Sequence, residues 1–191
     1  MNTYDFDKTI FYPDSSVTFI KYCFKRHPWI MLKNSPGAIP QAIAYAVNGG
    51  SAAKLKEKLF AFLKDIPDID SEVERFWAEH KDGIGEWYLR QKKDDDVIIS
   101  ASPEFLLEPV CREFGVNLIG TRMDKHSGKI DGENCHDKEK VRRFYERYPD
   151  GHSDEFYSDS DADMPLAKLS QRAFKVIWPD VIEWKIERSE E

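Results

Sequence analysis

Cysteine is scarce in this chain: three residues, Cys23, Cys111 and Cys135, among 191. They are widely separated and none forms a Cys-x-x-Cys pair, which excludes a disulfide framework and a paired-thiol metal or redox motif. A reducing, cytoplasmic setting is the expectation. An excess of basic charge is also missing. The formal net charge is -7, whereas a nucleic-acid binder needs a positive face to displace phosphate counterions, so no nucleic-acid partner is expected. Nor is there an unbroken apolar run of bilayer-spanning length. The nearest approach, residues 27–47, is interrupted by Lys33, Asn34, Pro36 and Pro40 and reads as buried or partner-facing helix, so membrane contact is disfavoured. The first residues lack the basic start and apolar core of a secretory signal, so export is not expected. Internal repeats and low-complexity tracts are absent.

What is present suffices for one globular domain with room for a sizeable insertion: 41% hydrophobic and 33% charged residues over 191 positions. Short β-rich runs at Thr3 to Phe6, Val97 to Ser100, Val116 to Gly120 and Glu155 to Ser158 each lead into polar or small residues. Helical spacing over Pro103 to Phe114 and Lys138 to Tyr148 separates some of them. Strand, loop, helix and strand in this order predict an α/β fold with a Rossmann-like parallel sheet flanked by helices. The interval 14–94 breaks the rhythm with helical patterns alone. It is expected to be an inserted helical domain, with 1–13 and 95–191 forming the core. Phe62, Phe76, Trp77, Trp87 and Tyr88 within the insertion are expected to be core packing. Lys92 to Asp96 reads as a solvated linker, and Thr121 to Asn134 as a loop or hairpin. Trp178 and Trp184 are expected to close the C-terminal edge of the core.

Asp5 and Asp7 stand two apart at the end of the first expected strand, and alternation aims both side chains the same way if the strand continues. Carboxylates so close repel unless a cation or proton separates them, and Mg2+, a hard cation that joins carboxylates to phosphates, is the natural partner. A second acidic cluster, Asp159, Asp161 and Asp163, follows another strand, so the two clusters can meet at the carboxyl edge of one sheet, where open α/β sheets place ligands. Ser100, Ala101 and Ser102 lead into a helix start, where a hydroxyl and free backbone N–H groups favour an anion. Lys140, in the first turns of the next helix, can neutralise it. Singly these features are commonplace; their order along the chain is the signal.

The runs YDFDKT, VIISAS, NCHDKEKVRRF and FYSDSDADMPL together resemble the four motifs of the haloacid-dehalogenase superfamily, in its phosphoserine-phosphatase-like branch. The resemblance covers the whole core, and the insert between the first two motifs is similar in position to the helical cap of that branch. It implies a Mg2+-dependent phosphatase in which Asp5 is the nucleophile that becomes an aspartyl phosphate and Asp7 the general acid and base. It further implies Ser100 and Lys140 as phosphate contacts, and Asp159 as a metal ligand together with Asp5 and the Asp7 backbone carbonyl. Asp163 supports the metal from nearby, and Thr9 and Ser102 are supporting contacts. Lys138, two positions before Lys140, is the alternative for the lysine.

Two departures bear on the substrate. Asp14 stands where phosphoserine phosphatases carry a glutamate for the substrate amino group, and Ser-Ala-Ser replaces Ser-Gly-Gly. A small phosphomonoester is therefore expected, phosphoserine being one candidate, with Asp14 contributing to specificity. A phosphorylated lipid head group ranks below it, kept open by the semi-apolar stretch 27–47, and transfer of the phosphoryl group to a second alcohol is a variant of the same chemistry. The alternative class is a non-catalytic module that binds a phosphorylated ligand or a protein. Cys135-His136 resembles half a zinc site without a second pair, and the remaining histidines receive no role.

Overall fold

A computed structural model describes residues 1–186 of the chain. Its elements run β1 (Thr3–Tyr4), α1 (Ser15–Arg26), α2 (Pro28–Asn34), α3 (Ala38–Asn48), α4 (Ala52–Leu59), α5 (Ile69–His80), α6 (Glu86–Gln91), β2 (Val97–Pro103), α7 (Glu104–Phe114), β3 (Asn117–Thr121), α8 (Lys138–Arg147), β4 (Ser153–Ser158), α9 (Met164–Leu169), β5 (Ser170–Ile177) and β6 (Asp180–Glu183). Six strands form one sheet in the order β3-β2-β1-β4-β5-β6, parallel except for the last pair. This is the expected α/β architecture.

Helices cover both faces, so the inner strand β2 runs apolar over Val97, Ile98 and Ile99 without alternating with polar residues, whereas β4 is apolar only at Phe156 and Tyr157. The pleat still sorts them. Ile98 joins Tyr4, Phe6, Trp77 and Leu106 in one buried cluster, while Val97 and Ile99 join Phe144 of α8 and Leu166 of α9 in another. Tyr4, Tyr157 and Phe174 occupy neighbouring register positions on β1, β4 and β5. Their rings stack with centroids 4.8 and 4.7 Å apart, which adds face-to-face contact to the strand pairing.

β1 is shorter than expected. After Tyr4 the chain leaves the ladder, and the N–H groups of Thr9, Ile10 and Phe11 all donate to the Phe6 carbonyl at 3.3, 2.8 and 2.9 Å. Lys8 holds φ at 58°, a conformation that costs a non-glycine residue about 1–2 kcal/mol. This tight loop, rather than a continuing strand, carries Asp7.

Between β1 and β2 the described elements are helical throughout. Asp14 caps α1 by accepting from the Val17 N–H at 2.8 Å. Phe19, Phe62, Phe76 and Trp77 are buried inside the insertion, and the Trp77 Nε1–H donates to the Leu106 carbonyl at 2.6 Å, fastening α5 to α7. Buried Glu72 on α5 gathers Arg26 at 2.9 Å and Arg75 at 3.0 Å, tying α1 to α5.

Two segments differ from the sequence reading, and a third takes one of the two forms expected of it. Asp96, in the run expected to be solvated, is fully buried and accepts from the N–H groups of Lys93 and Asn2 at 2.8 and 3.3 Å. The β5–β6 hairpin had no sequence-based expectation. It is an edge with polar residues interleaved, where Ala173 and Val176 alone are buried apolar positions. Trp184 does pack on the core, with the Lys175 ammonium 4.1 Å over its ring, but Trp178 stacks instead on Tyr12 at 5.5 Å. The segment after β3 folds into a small hairpin, bridged at Met123 and Ile130.

Candidate active site

The register of the parallel strands decides what meets at their carboxyl ends. Tyr4 pairs with Ile98 on one side and Tyr157 on the other. Asp5, Ser100 and Asp159, which follow these positions, therefore emerge side by side at the sheet edge where α/β folds bind ligands. The Asp5 N–H donates to the Tyr157 carbonyl at 2.9 Å, fixing the start of the loop.

Helix α8 delivers the counter-charge. Lys140, Arg143 and Phe144 form its buried face at helical spacing. Arg143 donates to the Gly120 carbonyl, which anchors the helix against β3 and turns Lys140 towards Asp5. Lys140 Nζ lies 2.7 Å from Asp5 Oδ1 and 2.8 Å from Asp163 Oδ2, and Asp163 Oδ2 also accepts from Ser158 Oγ at 2.7 Å. Burial pushes the Asp5 carboxyl above its ordinary range; Lys140 opposes that shift, while Asp163 and Asp7 add to it. Burial also works against the charge on Lys140, but the two carboxylates more than offset it and hold the ammonium protonated.

Asp7 has different surroundings. Its Oδ1 accepts from the Ser15 N–H at the start of α1 at 2.6 Å, and its Oδ2 accepts from the Ser102 hydroxyl at 2.5 Å. Burial raises its pKa, Asp14 raises it further, and the bonds from Ser102 and Ser15 pull it back. The sequence placed Asp5 and Asp7 side by side, with different roles implied only by the family resemblance. The loop separates them into an ion-paired carboxylate and one held by neutral donors, environments that shift two acids to different tasks.

Ser100 Oγ is buried and accepts from the Ser102 N–H at 3.0 Å. The Asp159 N–H donates to Thr9 Oγ1 at 3.0 Å, so Thr9 ties the loop after β1 to that after β4. A cavity of about 190 Å³ opens over these groups, bounded by Asp5, Asp7, Asp14, Ser100, Ala101, Lys140, Asp159 and Asp163, and also by Lys8, His136 and Ser160. A larger hollow of about 470 Å³ lies against β5 and β6, remote from these carboxylates. Lys138 is exposed and Lys140 buried, so geometry brings Lys140 to the site. Asp161 faces outward to Lys175 at 2.7 Å and does not join the other acids.

Two contributors escaped the sequence reading. His136 lines the cavity because the β3–α8 connection folds back over it. Lys56, on α4, reaches across to the core and donates to the Ala101 carbonyl and to Asn134 Oδ1, both at 2.6 Å. Burial lowers its pKa to about 8, against the pull of Asp7 and Asp14. One surface-like lysine among several gives no signal of such a reach in a sequence.

The acids at this edge outnumber the cations buried with them. One ammonium, Lys140, faces Asp5 and Asp163, with half-buried Asp159 alongside. Among the described residues no group of three acidic, His or Cys side chains is gathered closely enough to cage a metal by itself. A site of one or two carboxylates with residual negative charge nevertheless fits Mg2+, which keeps waters and takes further oxygens from a substrate phosphate.

A family model described as haloacid dehalogenase-like hydrolase matches residues 3–168. The chain is 29% identical over 190 residues to Protein CicA of Caulobacter vibrioides, covering 91% of this chain and 84% of that protein. Among solved structures it is similar to a protein of unknown function from Bordetella pertussis Tohama I, with a TM-score of 0.71, 20% identity and coverage of 91% and 87% of the two chains. It is similar also to a substrate-bound phosphoserine phosphatase complex, with a TM-score of 0.58, 14% identity and coverage of 90% and 82%. The chain therefore belongs to the haloacid dehalogenase-like hydrolases.

Proposed function

We propose that the chain hydrolyses a small phosphomonoester with Mg2+ as cofactor, through an aspartyl phosphate on Asp5. The observation that carries this reading is the buried Asp5–Lys140–Asp163 cluster. Lys140 holds Asp5 Oδ1, which leaves the other carboxylate oxygen to attack phosphorus. A carboxylate needs no base to activate it. As the phosphorus–oxygen bond to the leaving group breaks, protonated Asp7 passes its proton to the departing alkoxide. Asp7 then takes a proton from water as that water attacks the aspartyl phosphate, releasing inorganic phosphate and restoring the Asp5 carboxylate. The raised pKa of Asp7 suits this double duty. Mg2+, held by Asp5, Asp159 and the Asp7 carbonyl, would supply charge neutralisation for the transferring group. Ser100, the loop through Ala101 and Ser102, and Lys140 would bind the phosphoryl oxygens, with Thr9 and Asp163 supporting.

The small cavity and the presence of Asp14 on its wall favour a compact leaving group, and the helical insert would act as its cap. The test is hydrolysis of p-nitrophenyl phosphate. Activity should require Mg2+, vanish with EDTA and return on re-addition. Asp5→Asn should abolish it and also abolish acid-stable phosphorylation of the protein. Undiminished turnover by Asp5→Asn would remove the nucleophile assignment, and affinity for phosphorylated ligands without turnover would instead favour a binding module.

A further inference from the structure

The acidic residues are unevenly distributed. The chain has 35 of them among 191 residues, yet none falls in the 42 positions between Asp14 and Glu57. Residues 15–60 hold seven Lys and Arg against the single acid Glu57, a net charge of +6 in a chain whose total is -7. The rest of the chain thus carries -13.

The same stretch exposes its large apolar side chains. Helix α1 buries Phe19, Tyr22 and Cys23 and turns Val17 and Phe24 outward, with Lys21 and Lys25 on that outer side. On α2, Met31 is buried while Trp29 is 81% exposed and Leu32 is exposed beside it. On α3, Ile43 is 59% exposed and Tyr45 is exposed. Lys21, Lys25, Lys54 and Lys58 are exposed and make no ion pair among the described residues, whereas Lys33 is held by Asp65 at 3.0 Å. A single exposed leucine means little on any protein. Six large apolar residues within an acid-free, cationic stretch are a different matter.

We propose that this part of the helical insert docks on the surface of an anionic phospholipid bilayer. Interleaved lysines with Trp, Tyr, Phe and Leu are the composition of helices that lie in the interfacial plane, where the rings enter the head-group boundary and the ammonium groups meet lipid phosphates. No described helix is long and apolar enough to cross a membrane, so the contact would be peripheral. A second copy of the chain is disfavoured as occupant, because two faces of the same sign repel. The inference goes beyond the proposed hydrolysis and departs from the expectation that membrane contact is disfavoured, which weighed the spanning length of residues 27–47 and not the segregation of charge that a total of -7 conceals.

The test is co-sedimentation of the full chain with phosphatidylcholine vesicles and with phosphatidylcholine vesicles containing phosphatidylglycerol. Binding to the anionic vesicles alone, weakened by salt, is expected. Lys21→Glu with Lys25→Glu should weaken partitioning by at least about fivefold per lysine. Trp29→Ser with Leu32→Ser should weaken it comparably. Both double variants should hydrolyse p-nitrophenyl phosphate in solution as the parent chain does. Absent binding, binding indifferent to lipid charge, or binding unchanged in both variants would overturn the proposal. So would a dimer, seen by light scattering, that Trp29→Ser dissociates. Sedimentation does not depend on turnover, so failure of the proposed function would leave this result interpretable.

Discussion

The hydroxyl of Ser102 lies 2.5 Å from Asp7 Oδ2, so the end of β2 orients a carboxylate carried by the loop after β1. Asp7 can act as acid and base only if its proton affinity is tuned, and this bond lowers that affinity while burial and Asp14 raise it. Ser102 therefore acts through Asp7, which lines the cavity, and not as part of the wall itself.

Ser102→Ala should raise the Asp7 pKa, because a donor to the charged form is lost. The alkaline limb of the kcat profile, where protonated Asp7 is consumed, should move to higher pH, and kcat at neutral pH should fall about tenfold as Asp7 loses its orientation. A pH–rate profile checks both. An unmoved limb would detach Ser102 from proton transfer.

Lys140→Met should abolish turnover and also destabilise the fold. Removing one partner of a buried ion cluster costs about 3–5 kcal/mol because the remaining charges stay buried, and here Asp5 and Asp163 would face each other unneutralised. Adding Asp163→Asn should recover part of the stability and none of the activity. Denaturant unfolding of the two variants, beside their phosphate release, separates the two roles.

Gly128 marks the contact of the small hairpin with the insert. Its φ is +72°, and a Cβ there would stand 2.5 Å from the Phe60 carbonyl oxygen. Nearby, Glu57 Oε1 accepts from the Ile130 N–H at 3.0 Å. Gly128→Ala should lower stability by about 2 kcal/mol, from the left-handed backbone and the clash together, a fall in Tm of about 4–8 °C for a chain of this size. Thermal unfolding measures it.

Acid sensitivity should trace to Glu72. Burial works against its charge, but Arg26 and His27 hold its pKa below the ordinary glutamate value. A carboxyl depressed in the folded state contributes stability that is present above its unfolded pKa, about 4.3, and is lost as pH falls through the folded value. Glu72→Gln should therefore be less stable at neutral pH and show a flatter decline towards acid. Unfolding midpoints collected from neutral to acidic pH give the comparison.

The legible parts of the fold were those with a local cause. Val97 to Ile99 is apolar because both faces of its strand are covered, and α8 reads as a helix from Val141, Phe144 and Tyr145, although the face it buries is Lys140, Arg143 and Phe144, with Tyr145 exposed. The β5–β6 hairpin had no comparable signal, since an edge strand with polar residues outward looks like a loop with scattered apolar positions. Burial of Asp96 was equally unreadable: backbone donors from Lys93 and the distant Asn2 satisfy it, and the second exists only once β1 lies beside β2.

The sequence by itself determined the α/β class, the order of the acid, serine and lysine motifs, and the helical character of the insertion, because periodicity and motif order are properties of the chain read in one dimension. Tertiary structure alone decided that Lys140 and not Lys138 meets Asp5, that Asp161 faces away, that Asp7 leans on Ser102 and Ser15, and that Lys56 crosses from α4 to the Ala101 carbonyl. Each of these is a choice among neighbours of similar type. It is made by helix rotation, loop closure and packing at long range, where a few ångströms separate a buried ion pair from a solvated side chain.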